Sequence, residues 1–254
     1  MPQADFEVIE PQWPAGHGVR SLCSTRAGGV SQPPWDRLNL GDHVGDDPAA
    51  VAANRQAYVR RLGVRPVFLR QVHGADCVQL RADTPDGTQA DACYTRERGL
   101  ACTIMVADCL PVLFADLRGG LVAAAHAGWR GLLGQHGQGV LESVMRVMDP
   151  AHTVAWLGPC IGPQAFEVGP EVLRAYTAHD AQCAARFTAC ASGKWLADLA
   201  GLTRDRLQAL GLDPQRVHGN DGSPGWCTVT QASRFFSHRR DRVSGRLAAS
   251  VWLA

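Results

Sequence analysis

Lysine is nearly missing from this chain: Lys194 is the only one among 25 basic residues. With so many Ala and Gly, this reads as the base composition of a genome rather than as chemistry. An excess of charge of one sign is missing too, since 25 basic residues face 24 acidic ones for a formal net charge of +1. The chain as a whole gives no reason to expect nucleic acid, a membrane surface or a polyanion as partner. No stretch reaches the ~18 apolar residues of a membrane-spanning helix. The opening "MPQADFEVIEPQWPAG" has neither a basic region nor an apolar core, so no secretory leader is expected and the expected compartment is the cytoplasm. No protein partner is called for.

Several chemical signatures are also missing. There is no GxGxxG after a strand and no GxxxxGK[ST], which removes the two common nucleotide-binding fingerprints. There is no H-E-x-x-H, and the zinc nucleobase-deaminase pattern H-x-E with P-C-x-x-C is absent. No H-x-H occurs, whereas multicopper oxidases cluster their histidines. No CxxC occurs among the nine cysteines, Cys23, Cys77, Cys93, Cys102, Cys109, Cys160, Cys183, Cys190 and Cys227. Odd in number and irregularly spread, they read as reduced thiols, mostly buried as small hydrophobes.

What is present is an ordinary globular composition: 254 residues, 46% hydrophobic and 19% charged. A chain of this length buries roughly 70–75% of its unfolded surface. It predicts one large domain or two small ones. Residues 16–47 are rich in Gly, Pro and polar residues and predict a long irregular, functional or solvated loop. "DDPAAVAANRQAYVRRLG" predicts a helix capped by Asp46 or Asp47, with Pro48 at its first turn and Gly63 at its end. "VRPVFLRQVHG" predicts a short strand closing at His73-Gly74, and "DCVQL" a second. "TPDGTQADACYT" reads as a turn-rich connection. Two nearly continuous apolar strands, about 101–107 and 112–115, flank "DCLP", and a third runs over 121–126. Continuous apolarity predicts strands covered on both faces. "GLLGQHGQGVLESVMRVM" predicts one helix despite its glycines. "TVAWLGPCIGP" predicts a strand into a loop. "VGPEVLRAYTAH" and "KWLADLAGLTRDRLQALG" predict helices, and "GRLAASVWLA" a closing strand. Strands and helices interleave, so the class is α/β with mixed sheet.

Three soft ligands share a local grammar. His73 is followed by Gly, Cys109 follows a strand and Asp108, and His126 ends an apolar run before Ala-Gly. Strand ends fix a side chain while the adjoining loop leaves room beside it, and glycine removes bulk next to the ligand. Two imidazoles and a thiolate suit zinc, with a fourth position open as in catalytic sites. The same atoms also suit a Cys109 nucleophile with His126 or His73 as base. Each residue also has a plain structural reading, a buried thiol or a satisfied strand-end histidine.

These segments together resemble one family. "STRAGGVS", "LNLGDHVGDDP", "QVHGADCV", "ADCLPVLFAD", "AAAHAGWRGL", "LGPCIGP", "FEVG" and "FFSHRRD…GR" follow the order of the YfiH-type family, also called laccase-domain multicopper polyphenol oxidases or peptidoglycan editing factor. The resemblance runs from about Ser24 to Arg246. His238 stands where a tyrosine is common, and Cys160 where a small residue is common. The resemblance implies one domain over 1–254, with mixed β-sheets packed between helices in a proposed cysteine-hydrolase architecture. It implies zinc on His73, Cys109 and His126. It also implies phosphorolysis of adenosine, inosine and methylthioadenosine, with adenosine deamination, so the expected partners are a nucleoside and phosphate. Phosphorolysis needs a phosphate holder, and arginine is the natural one. Arg26 and Arg130 are the first candidates, Arg239 and Arg240 the next; a packing or surface ion pair is the alternative for each. Asn39 and His43 are candidates for ribose hydroxyls or phosphate. Asp108 is expected to orient a ligand histidine or to cap a turn. Three rival readings stand beside this one: a Cys-His amide hydrolase acting on peptidoglycan precursors, a polyphenol oxidase, and a binding protein with a structural metal.

Overall fold

The computed structural model describes residues 6–254; the first five residues of the stretch read for a leader lie outside them. Two mixed sheets form the frame. One runs β1 (Val8–Ile9), β2 (Val19–Ser24), β14 (Leu247–Leu253), β6 (Leu100–Val106), β3 (Arg65–Phe68). The other runs β13 (Val217–Gly219), β9 (Thr153–Leu157), β7 (Leu110–Asp116), β8 (Val122–Ala127), β5 (Ala92–Thr95), β4 (Cys77–Gln79). Pairs β3/β6, β4/β5 and β9/β13 are parallel and the rest of both sheets is antiparallel. A small third sheet runs β10 (Glu167–Val168), β12 (Trp195–Ala197), β11 (Phe187–Ala189).

Strand alternation distributes the core. Cys102, Ile104 and Val106 of β6 pack with Leu113 and Ala115 of β7 and Val122 and Ala124 of β8, between the two sheets. Their neighbours Leu110, Val112, Phe114, Ala123 and Ala125 face the opposite way, under α3 (Val140–Met145), α4 (Pro170–His179) and α5 (Leu199–Ala209). Ala101 and Met105 of β6 face α1 (Pro48–Leu62), with Tyr58 and the Leu38 and Leu40 side chains. The result is four layers, helix, sheet, sheet, helix. Every residue of β6, β7 and β8 is buried, as continuous apolar runs require.

α1 has the expected ends: the Asp47 carboxylate accepts from Ala49 N, and Gly63 takes the left-handed conformation at φ 71°. Five expectations need correction. β3 stops at Phe68, so His73 lies in a loop five residues further on, with φ 61°. The stretch read as turn-rich contains β5. The single helix read after Trp129 is two, α2 (Trp129–Leu133) and α3, because Gly134 and Gly137 turn the chain with φ of 68° and 74°. The long irregular segment contains β2, so its loop begins at Thr25. The stretch from Lys194 is likewise a strand, β12, before α5 begins after its Asp198 cap.

Three chain crossings between the sheets matter for the site. β3 leads to β4, β6 leads to β7, and β13 leads to β14, each passing from one large sheet to the other. The last crossing contains α6 (His238–Asp241).

Candidate metal centre

The two crossings β3–β4 and β6–β7 deliver His73 and Cys109, and β8 delivers His126 from its penultimate position. Their ligand atoms all lie within 4.8 Å of one another. The two imidazoles meet edge to face, ring centroids 4.8 Å apart. His73 is exposed, Cys109 half-buried and His126 buried.

Asp91, just before β5, organises this convergence and was not foreseen. Its side chain is fully buried. One oxygen accepts from His126 Nδ1 at 2.8 Å and from His73 N at 2.9 Å. The other accepts from Val72 N at 3.1 Å and Gly74 N at 2.7 Å. A carboxylate on Nδ1 fixes a proton there and leaves Nε2 of His126 for the thiol. Burial pushes the Asp91 carboxyl up, and the His126 bond with the Gly74 and Val72 amides brings it below its ordinary value.

The thiol and imidazole shift each other. Burial raises Cys109, but His126 and then His73 outweigh it and bring it down to about 6. Burial lowers His126, but the Cys109 thiolate and Asp91 outweigh it and raise it to about 9. Without metal the pair is therefore thiolate and imidazolium.

The glycine after the Ala127 position has a steric reason. A Cβ on Gly128 would stand 2.9 Å from Cys109 Sγ and 3.2 Å from His73 Cδ2. The space it would fill is the space beside Cys109 and His73. Two imidazoles and a thiolate around such a cradle fit a metal with an open position.

The donors face a cleft of about 460 Å³. Trp129, Arg130, Ile161, Phe166, His43, Gln71, Asp108 and the crossing residues His238, Arg239, Arg242 and Arg246 complete its wall. Trp129 is held by Tyr176, whose hydroxyl donates to its carbonyl at 2.8 Å. Arg130 lies over the Trp129 ring, 4.3 Å from its centroid. A larger hollow of about 810 Å³ near Glu10, His17 and Arg61 shares no residue with this cleft.

Four of the polar residues singled out from sequence have other occupations. Arg26 is not in the cleft wall: it donates to Asp36 O and Ala232 O, pairs with the Asp36 carboxylate and lies over Phe236. Asn39 is fully buried and its amide is used by Gly41, Asp46 and Arg246. Arg240 is spent on Thr228 O, Val229 O, Phe235 O and Asp241. The Asp108 carboxylate accepts from Thr228 Oγ1 and Arg239 N, each at 2.6 Å, so it ties the β6–β7 turn to α6; the carboxylate behind the histidine is Asp91. His43 and Arg130 do line the cleft. Burial, then Arg246, lowers the His43 pKa.

Paired mixed sheets whose crossings and β8 bring together a His-Cys-His group able to hold a metal define a single-domain mixed α/β protein. The chain belongs to the family described as multi-copper polyphenol oxidoreductase laccase, which matches residues 20–254. It is 46% identical over 251 residues to the purine nucleoside phosphorylase YfiH of Escherichia coli K12, covering 97% of this chain and 99% of that one. To a purine nucleoside phosphorylase of Pseudomonas aeruginosa it is 48% identical, covering 96% and 98%. A crystal structure of a Neisseria meningitidis protein superposes with a TM-score of 0.90 at 42% identity, covering 97% and 98%. The YfiH structure from Bacillus licheniformis gives 0.84 at 29% identity, covering 93% of each chain. No helix of the described residues is long and apolar enough to cross a membrane.

Proposed function

We propose that this protein is a zinc-dependent purine nucleoside phosphorylase of broad specificity, acting on adenosine, inosine and methylthioadenosine, which also deaminates adenosine. The observation that carries the reading is the convergence of His73, Cys109 and His126 on a cleft walled by arginine and aromatic side chains. Relatives along nearly the whole chain bear the name purine nucleoside phosphorylase, which supports it.

His73, Cys109 and His126 hold the ion, with Asp91 fixing the tautomer of His126. When bound, zinc supplies Lewis acidity at neutral pH, the need of deamination. Trp129 and Phe166 offer flat apolar surfaces to a purine. In phosphorolysis a phosphate oxygen bonds to C1′ of the ribose while the bond from C1′ to the purine breaks. The purine keeps that electron pair and takes up the proton that the hydrogen phosphate loses on becoming the sugar's ester. Arg130 in the wall orients phosphate by paired N–H donation, and Arg239 and His43 face the same space. Both substrates are small and the cleft is of the size that encloses one, within the ~300–1,000 Å³ of such sites.

A second reading, a Cys-His amide hydrolase acting on peptidoglycan precursors, is favoured by one observation, the Cys109 thiol set within reach of the His126 and His73 rings, which lower its pKa. The polyphenol oxidase reading draws on the family's description alone. Among the described residues one group of three or more His, Cys, Asp or Glu side chains has metal-holding spacing, whereas multicopper chemistry needs several copper sites.

Product analysis with adenosine tests the proposal. Zinc-loaded protein is expected to release adenine and ribose 1-phosphate only when phosphate is present, and inosine with or without it. Absence of all three products from protein carrying stoichiometric zinc would overturn it.

A further inference from the structure

We infer that Arg242, acting with Arg130, is the side chain that grips a phosphoryl oxyanion in this cleft. The identity of that anion as a co-substrate rests on the phosphorolytic reading above; its chemistry does not.

Arg242 has a costly backbone. Its φ and ψ are 63° and −58°. Val243 N donates to Asp241 O across it at 2.7 Å. A bond between residues two apart around such angles is a γ-turn of the strained kind, rare for any residue with a Cβ. Glycine would occupy it freely. Such strain persists only where the surroundings over-determine it, and it collects at ligand clamps. Here the surroundings are explicit. Arg242 N donates to His238 O at 2.8 Å and Asp241 N to Ser237 O at 3.1 Å. Arg239 N is anchored on Asp108, and the Arg240 guanidinium spans the carbonyls of Thr228, Val229 and Phe235. The clamped turn sets Arg242 in the wall of the metal-centre cleft.

The charge there is only partly compensated, Asp108 and Cys109 acting on Arg246 alone among the wall arginines. Among the described residues, the side chains of Arg242 and Arg130 make neither a hydrogen bond to protein nor an ion pair; Arg130 has only the Trp129 face. Arg239 donates to Glu167 O, and Arg246 to Ser244 O and Gly245 O, so carbonyls and no carboxylates receive them. Asp108, the one carboxylate in the wall, already has Thr228 and Arg239 on its two oxygens. Guanidinium forks with no anion of their own are complements to a tetrahedral oxyanion, which offers them paired acceptors. Both the Arg242 and Arg130 side chains are exposed at the mouth of the cleft, where solvent holds them until an anion arrives; an ordinary exposed arginine would take the relaxed backbone. Arg242 keeps a strained backbone and a cleft position.

The test uses zinc-loaded protein and Arg242→Gly, which removes the fork and relieves the turn. Inorganic phosphate is titrated by calorimetry, and KM for phosphate and for adenosine are measured where turnover is seen. The expected result is phosphate binding weakened at least tenfold, with adenosine KM within about twofold, zinc content unchanged and Tm equal or higher. Arg242→Lys, which keeps the charge without the fork, should fall between. A second titration with adenosine 5′-monophosphate separates sources: Arg242-dependent binding of the nucleotide alone would assign the oxyanion to the substrate's own phosphoryl group. If phosphate and nucleotide bind the glycine variant as they bind the parent, the inference is wrong. It is also wrong if phosphate affinity, adenosine KM and Tm all decline together, since that is the signature of a structural role. Arg242-dependent phosphate binding without phosphorolysis by the parent would leave the inference standing and remove the functional reading.

Discussion

Asp91 bears the centre at the scale of single residues, since its two oxygens serve four donors from two segments. An asparagine there keeps one acceptor oxygen and turns an N–H donor toward donors. Asp91→Asn is expected to weaken zinc binding about 10–100-fold, the usual cost of losing a carboxylate behind a ligand histidine; competition against a chelator measures it, and unchanged affinity would remove the role. Cys109 separates the two enzymatic readings. Cys109→Ala should lose zinc and activity together, while Cys109→Asp should keep part of both, because carboxylate also binds zinc. In metal-free protein the lowered pKa means that the thiolate is present above about pH 6 and is lost by protonation below it. Iodoacetamide should therefore react increasingly fast as pH rises through 6, and His126→Ala should move that midpoint up by removing the larger of the two lowering influences. Zinc-loaded protein should react slowly throughout. Fast alkylation with zinc retained would favour the hydrolase.

At the scale of elements, α2 is seated by its glycines. A Cβ on Gly131 would come 2.6 Å from Gly74 O, in the backbone beside His73. Gly131→Ala is expected to push α2 off that loop and cost about 1–3 kcal/mol by overpacking, read as a lowered Tm together with weaker zinc retention. Stability lost with zinc affinity intact would show that α2 and the loop are independent. α1 was legible from its sequence because its signals are local: Asp47, Pro48 and Gly63 act within a turn of the helix they bound. β6 to β8 were legible because burial on both faces leaves no polar residue to confuse the pattern. The donors His73, Cys109 and His126 could be singled out because bulk vanishes beside two of them. Other features were hidden for equally physical reasons. "FLRQV" has the look of a strand continuing to His73, yet pairing with β6 ends at Phe68 and only a single bridge, Arg70 to Gln89, follows. Apolar periodicity runs on from α2 into α3, and the left-handed backbone of Gly134, His136 and Gly137 breaks it. Asp91 sits among small residues in a Gly- and Asp-rich stretch. Arg26 resembled a ligand because its partner Ala232 O lies 206 residues away, a distance no local spacing encodes.

At the scale of the whole molecule, the ligands belong to segments far apart in the chain that meet only in the folded state, so binding an ion is linked to stability. Free zinc at about 100 times its dissociation constant should add about 2.7 kcal/mol. For a chain of this length that is roughly 5–10 °C in Tm, measured by calorimetry against chelator-treated protein, and His126→Ala should abolish the difference. A Tm indifferent to zinc would contradict a centre built from these three side chains. The two crossings that supply His73 and Cys109 have a wider meaning. Each is the seam by which the chain leaves one large sheet and enters the other, and His126 belongs to the second sheet alone. The donor triangle is thus a gauge of how the sheets sit on each other. A slip between them, from trimming Leu113 in the layer they share, would open the triangle before any strand came apart. Metal retention would then report the alignment of two sheets, as a vernier reports the alignment of two scales.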